Sequence, residues 1–188
     1  MAKNDVIVLL EFQNQWTKPG LFNLLVGREM RRNNVLKNAQ TLLGVARKVG
    51  VPVLQAPLWV DPKNLKGLYA HLTRGMFFRK GSIKGAIDER IMVDTDIVIQ
   101  GRTAFDAFVG SDLEETLKPY RGQRILFAGF ATDQCVLKTI LSAQKLGYDA
   151  WLISDVSATF FKFIQNNTEN KLGDKVINTA SLVKEYTP

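Results

Sequence analysis

Three side chains of unlike chemistry stand just beyond apolar, strand-like runs. Glu11 follows Asp5-Val-Ile-Val-Leu-Leu10, Arg102 follows Asp96-Ile-Val-Ile-Gln100, and Cys135 lies in the turn after Arg124-Ile-Leu-Phe-Ala-Gly129. A carboxylate, a guanidinium and a thiol can together carry out acyl transfer or hydrolysis of an amide-like bond. The spacing places Cys135 in the first turn of a helix, where the partial positive charge of the helix end lowers a thiol's pKa. Free N–H groups of the 131–136 turn can hold an oxyanion. Glu11 can take the thiol proton and hand it to a leaving amine. Arg102 can hold the carboxylate or stabilise the thiolate by charge. Each group also has a plainer use. A lone helical cysteine is most often a small buried hydrophobe, and a carboxylate–arginine pair at neighbouring strand ends is most often a structural ion pair.

The elements that position these groups follow from hydrophobic patterning. Continuous β-branched runs at 5–10, 51–56, 96–100, 124–129 and 149–153 predict buried parallel strands, with a short sixth near 175–178. Val35, Leu36, Ala39, Leu42, Leu43, Ala46 and Val49 recur at helical spacing, which predicts one amphipathic helix over 28–49 stopped by Gly50. Further helices are expected over 111–120, capped by Ser111 or Asp112, and from Thr132 or Asp133 to Leu146. The tail suggests a last helical turn. Strands alternating with helices imply a mostly parallel sheet covered on both faces, in an α/β fold. Ligands of such sheets lie beyond the carboxyl ends of the strands, at the switch point. That is where Glu11, Arg102 and Cys135 converge. Residues 57–90 are irregular and Gly/Pro-rich, as expected of a segment that packs over a site. Phe12, Trp16, Trp59, Phe77, Phe78, Phe160 and Phe161 default to core or interface, with some free to wall a flat apolar pocket.

Composition narrows the class. The 188 residues carry 25 Lys/Arg against 18 Asp/Glu, a net charge of +7. The excess sits between 28 and 90, which hints at an anionic substrate, although scattered basic residues usually form a solvated face. No zinc-finger, RNP or basic-heptad pattern follows, so a nucleic-acid partner is not expected. No apolar run is long enough to span a bilayer, and no leader is evident. One Cys and one His, Cys135 and His71, exclude an internal disulfide and a Cys/His zinc site. The expectation is a single cytoplasmic domain over 1–188, with no metal and no cofactor.

The same residues resemble a known family. Val8-Leu-Leu-Glu-Phe-Gln13, Gly101-Arg-Thr-Ala-Phe-Asp-Ala-Phe108 and Gly129-Phe-Ala-Thr-Asp-Gln-Cys-Val136 resemble, in order, the three motifs of the isochorismatase-like cysteine hydrolases. Thr139, Ala143, Gly147-Tyr148 and Asp155 extend the third. The resemblance implies a Rossmann-like α/β/α sandwich on a six-stranded sheet and a catalytic triad of Glu11, Arg102 and Cys135. It implies a cis peptide at Phe130–Ala131 or Ala131–Thr132, with Phe130, Ala131 and Thr132 forming the oxyanion turn. Gln13, Trp16, Trp59 and Phe77 are weaker candidates for contacting substrate. The implied activity is C–N hydrolysis of a small amide or ureido compound by a dimer or larger homo-oligomer. Isochorismatases proper lack the cysteine, so Cys135 points to the amidase side. The metal site of nicotinamidases needs more histidines than His71. Two positions depart from the family pattern: Glu11 replaces the usual Asp, and Arg102 the usual Lys. Arg does not release a proton and presents a wide planar fork. The alternative is therefore a catalytically impaired member that binds a ligand or partner.

Overall fold

A computed structural model describes residues 4–187. Its centre is a sheet of six strands in the order β3-β2-β1-β4-β5-β6, every pairing parallel. The strands are β1 (Asp5–Leu10), β2 (Val53–Ala56), β3 (Ile97–Val98), β4 (Arg124–Gly129), β5 (Asp149–Ile153) and β6 (Val176–Ile177). β1 is buried along its whole length because helices cover both faces of the sheet. Its side chains alternate between two cores. Ile7 and Leu9 join one, with Val26 and Met30 of α2 (Leu21–Arg32), Ala39 and Leu42 of α3 (Val35–Lys48) and Leu182 of α8 (Thr179–Tyr186). Val6, Val8 and Leu10 join the other, with Leu113 and Leu117 of α5 (Leu113–Leu117), Ile140 of α6 (Leu137–Lys145) and Leu172 of α7 (Lys162–Leu172). The result is the parallel sheet covered on both faces that the patterning predicts, and the α/β/α sandwich that the resemblance implies.

Several elements differ from expectation. The single helix over 28–49 is two helices, because Asn34 adopts a left-handed backbone (φ 51°) that breaks α2 from α3. The last helical turn is a full helix, α8, whose Asn178 side chain accepts from Ser181 N–H at 2.9 Å. Ser111 and Asp112 both precede α5: Ser111 Oγ accepts from Leu113 N–H at 3.1 Å, whereas Asp112 Oδ1 accepts from Gln100 N–H at 2.8 Å instead of capping the helix. α1 (Asn14–Thr17), α4 (Gly67–Thr73) and α7 have no counterpart in the sequence reading.

The strand order reverses between β1 and β4, so the crevice beyond their carboxyl ends is the switch point. The two strands approach closely there. A Cβ on Gly129 would lie 2.0 Å from the Leu10 carbonyl oxygen, and Gly129 has φ 140°. Only glycine fits at the end of β4.

Candidate active site

Glu11 is the first residue past β1. Its φ of 59° turns the chain out of the sheet, a conformation costing a non-glycine residue on the order of 1–3 kcal/mol. Its N–H donates to Ala56 O at the end of β2, 3.3 Å away. Its carboxylate is 2 % exposed and held from two sides. Trp16 Nε1 of α1 donates to Oε2 at 3.0 Å, and Arg102 Nη2 donates to Oε1 at 2.6 Å. Arg102 is equally buried. Beyond Glu11, its guanidinium donates to three backbone carbonyls: Ala56 at 2.9 Å, Ala104 at 2.9 Å and Phe105 at 2.8 Å. Such a set satisfies a buried cation through rigid backbone dipoles as well as through its counter-charge. It also fixes the position from which Arg102 acts.

Cys135 does not open an α-helix. Thr132–Val136 form a π-helical turn, and α6 begins only at Leu137. Neither Thr132 nor Asp133 caps it through a side chain. Asp133 instead accepts from the Thr159 hydroxyl and from Gln134 Nε2. The Cys135 carbonyl accepts from Thr139 Oγ1 at 2.7 Å, and the same oxygen of Thr139 accepts from Ala107 N–H at 2.9 Å. Thr139 thereby ties the cysteine turn to the loop that carries Arg102. The Cys135 thiol is pushed well above its ordinary pKa, first by burial and then by the negative charge of Glu11, with Arg102 opposing. The lowered pKa expected from a helix end is thus reversed, because the sulfur is desolvated and faces a carboxylate.

The peptide bond Phe130–Ala131 is cis. Thr132 N–H donates to Ala158 O at 3.1 Å, so it is already committed. The oxyanion role expected of Thr132 does not fit, which leaves the N–H groups of Ala131 and Cys135 as candidates.

Glu11 and Cys135 open on one small cavity of about 130 Å³. Trp16, Phe22, Leu58, Tyr69, Phe78, Phe105 and Phe160 form most of its wall. Of the weaker sequence candidates, Trp16 lies here. Gln13, Trp59 and Phe77 are not among the lining residues. The Gln13 amide donates to Leu58 O and Gly85 O and accepts from Leu58 N–H, a brace beneath the 57–90 segment. Trp59 Nε1 donates to Gly85 O, with Lys80 above its ring. Phe77 packs behind Phe22. The wall residues Tyr69, Phe105, Leu58 and Phe22 escaped the sequence reading because they come from irregular or weakly patterned stretches. Among the described residues, no cluster of three or more His, Cys, Asp or Glu is arranged to hold a metal ion, and no helix is long and apolar enough to cross a membrane.

An Isochorismatase domain model matches residues 5–179. The chain belongs to the isochorismatase family. It is 36% identical over 83 residues to the isochorismatase family protein YrdC of Bacillus subtilis, a match spanning 44% of this chain and less than half, 44%, of that relative. It is 21% identical over 204 residues to the ureidoacrylate amidohydrolase RutB of Variovorax paradoxus, covering 99% of this chain and 76% of that protein. Among solved structures, a cysteine hydrolase from Pseudomonas syringae superposes with a TM-score of 0.85 at 17% identity, over 97% of this chain and 92% of the other. N-carbamoylsarcosine amidase from Thermoplasma acidophilum superposes with a TM-score of 0.77 at 18% identity, over 93% and 96%. At these identities the likeness to the solved structures is one of fold. Within the isochorismatase family, the chain combines Glu11, Arg102 and Cys135 at the switch point of that fold.

Proposed function

We propose that this protein is a cysteine-dependent hydrolase that cleaves the C–N bond of a small amide or ureido compound. The observation that carries the reading is the shared cavity of Glu11 and Cys135, with Glu11 held by Arg102 at 2.6 Å. The resting pair is a thiol beside a carboxylate. As Sγ bonds to the carbonyl carbon, Glu11 takes its proton. The N–H groups of Ala131 and Cys135 hold the oxyanion. Collapse breaks the C–N bond, and Glu11 returns the proton to the departing nitrogen. Water then gives a proton to Glu11 and its hydroxyl to the thioester carbon. Sγ leaves and recovers the proton from Glu11, so the carboxylate acts twice and is regenerated. Arg102 stays charged throughout and keeps Glu11 in line with the sulfur. The carbamoyl and ureido substrates named for two of the similar proteins support the bond class.

The test is ammonia release from a panel of small primary amides and N-carbamoyl compounds, with intact-mass detection of an acyl adduct. Turnover by the wild type and its loss, by about a thousandfold or more, in Cys135→Ala is the expected result. Equal release by both proteins would overturn the reading. The raised thiol pKa, and a guanidinium with four of its five donors already engaged, favour one other reading, binding without turnover. In that case the cavity fills and no adduct forms.

A further inference from the structure

The cavity wall carries a selection rule. Among the described residues, the only carboxylate lining it is that of Glu11, and no Lys, Arg or His lines it. Arg102 is not among the lining residues, and four of its five N–H donors are taken, by Glu11 and by the carbonyls of Ala56, Ala104 and Phe105. None of the basic residues of the 57–90 segment is among the lining residues. Lys80 sits over the Trp59 ring, and Lys84 reaches the Pro19 carbonyl. A carboxylate-bearing substrate would lose its hydration, find no counter-charge and meet Glu11. Burying an unpaired carboxylate next to another is strongly unfavourable.

One polar group on the wall lacks a partner. The hydroxyl of Tyr69 is buried with no hydrogen bond among the described residues. Tyr69 lines the same cavity as Glu11 and Cys135. The ring packs against Phe78 and Phe105, with centroids 6.0 and 5.4 Å apart. Its helix, α4, is seated on the Arg102 loop. Gly67 opens α4 at φ 80°, and a Cβ there would lie 2.1 Å from Thr103 O. Tyr69 is therefore held in place while its hydroxyl is unsatisfied. A buried phenol without a partner marks a place where a ligand atom completes the bond.

Resting on the hydrolase reading, we infer that the acyl group accepted here is uncharged, largely apolar and no larger than a single six-membered ring, and that Tyr69 donates to one acceptor atom on it. The size follows from the volume: about 130 Å³ is slightly less than a cavity of about 150 Å³ that admits benzene. Tyr69 is a specificity residue in this scheme and takes no part in bond cleavage.

The test is binding, measured by ligand-observed NMR on full-length Cys135→Ser, so that turnover is not needed. Three ligands of matched shape separate the variables: butyramide, methoxyacetamide, which replaces one methylene by an ether oxygen, and malonamate, which carries a carboxylate. Both neutral amides are expected to bind at least tenfold more tightly than malonamate. Methoxyacetamide is expected to lose about three- to tenfold in Tyr69→Phe, while butyramide is unchanged. Malonamate binding as well as butyramide would overturn the charge rule, and so would no binding by any of the three. An equal change for both neutral ligands in Tyr69→Phe would reduce Tyr69 to a wall. Neutral amides that bind Cys135→Ser but are not hydrolysed by the wild type would leave this inference standing and remove the hydrolase reading.

Discussion

Replacing Glu11 by Gln removes a negative charge beside Cys135 and should lower the thiol pKa. The alkylation rate of Cys135 against pH measures this directly. The wild-type inflection is expected above the ordinary thiol value of about 8.5, and the Glu11→Gln inflection below that of the wild type. A wild-type inflection well below 8.5 would mean that the sulfur is not desolvated as the structure has it. Arg102 acts in the opposite sense, so Arg102→Met should raise the inflection further. The same substitution leaves Glu11 buried without its cation. It should cost about 3–5 kcal/mol, a fall in Tm on the order of 10 °C. Arg102→Lys keeps the charge, but one ammonium cannot reach Glu11 and the three carbonyls of Ala56, Ala104 and Phe105 at once. About 2 kcal/mol of destabilisation is expected from the abandoned acceptors, read from chemical denaturation. At this scale the sequence already pointed to Glu11, Arg102 and Cys135, because each follows a strong strand signal. It could not show the direction of the thiol shift. That direction depends on how deeply the sulfur is buried and on the carboxylate across from it, neither of which local spacing reports.

The elements that carry the reacting groups meet where β1 and β4 end. Gly129→Ala would drive a methyl group into the Leu10 carbonyl and part the two strands. It should destabilise the protein by more than about 3 kcal/mol and abolish activity, where a surface Gly→Ala change such as Gly44→Ala is nearly neutral or stabilising. Thermal melts of the two variants make the comparison. β1, β4 and β5 could be read to the residue because strands buried on both faces leave unbroken apolar runs. α2 and α7 could not. α2 leaves Leu21, Leu24 and Leu25 exposed beside its buried Val26 and Met30. α7 reads Lys-Phe-Ile-Gln-Asn-Asn-Thr-Glu-Asn-Lys-Leu, with Phe163 exposed and Gln165 and Thr168 buried. In both, the pattern of side-chain polarity runs against the pattern of burial, so periodicity fails.

Across the whole molecule, buried carboxylates and the backbone beside them tie together segments that are distant in sequence. Asp88 anchors the return of the 57–90 segment. Its N–H donates to Phe12 O at 2.8 Å, and its side chain accepts from Arg90. Burial pushes its pKa upward, but hydrogen bonds from Arg90 and Thr17 outweigh this and lower it to about 2. Against about 3.9 in the unfolded chain, the folded state binds its proton less readily. The contribution of Asp88 to stability is therefore whole above about pH 4 and is lost as the pH falls towards 2. Acid unfolding followed by circular dichroism should be steeper over that window in the wild type than in Asp88→Asn. Asp88 and Arg90 are close in sequence, but no local pattern announces the link from Asp88 to Phe12. A second tie joins the two ends of the fold: Asp5 accepts both Arg124 Nε at 2.9 Å and the Tyr186 hydroxyl at 2.7 Å. The strand order gives these ties a temporal side. β1 leaves the ribosome before the other strands, yet β4, its neighbour on one edge, starts 119 residues later. Until then this strongly apolar strand has an open edge, and the nascent chain must be shielded there, by its own helices or by a chaperone.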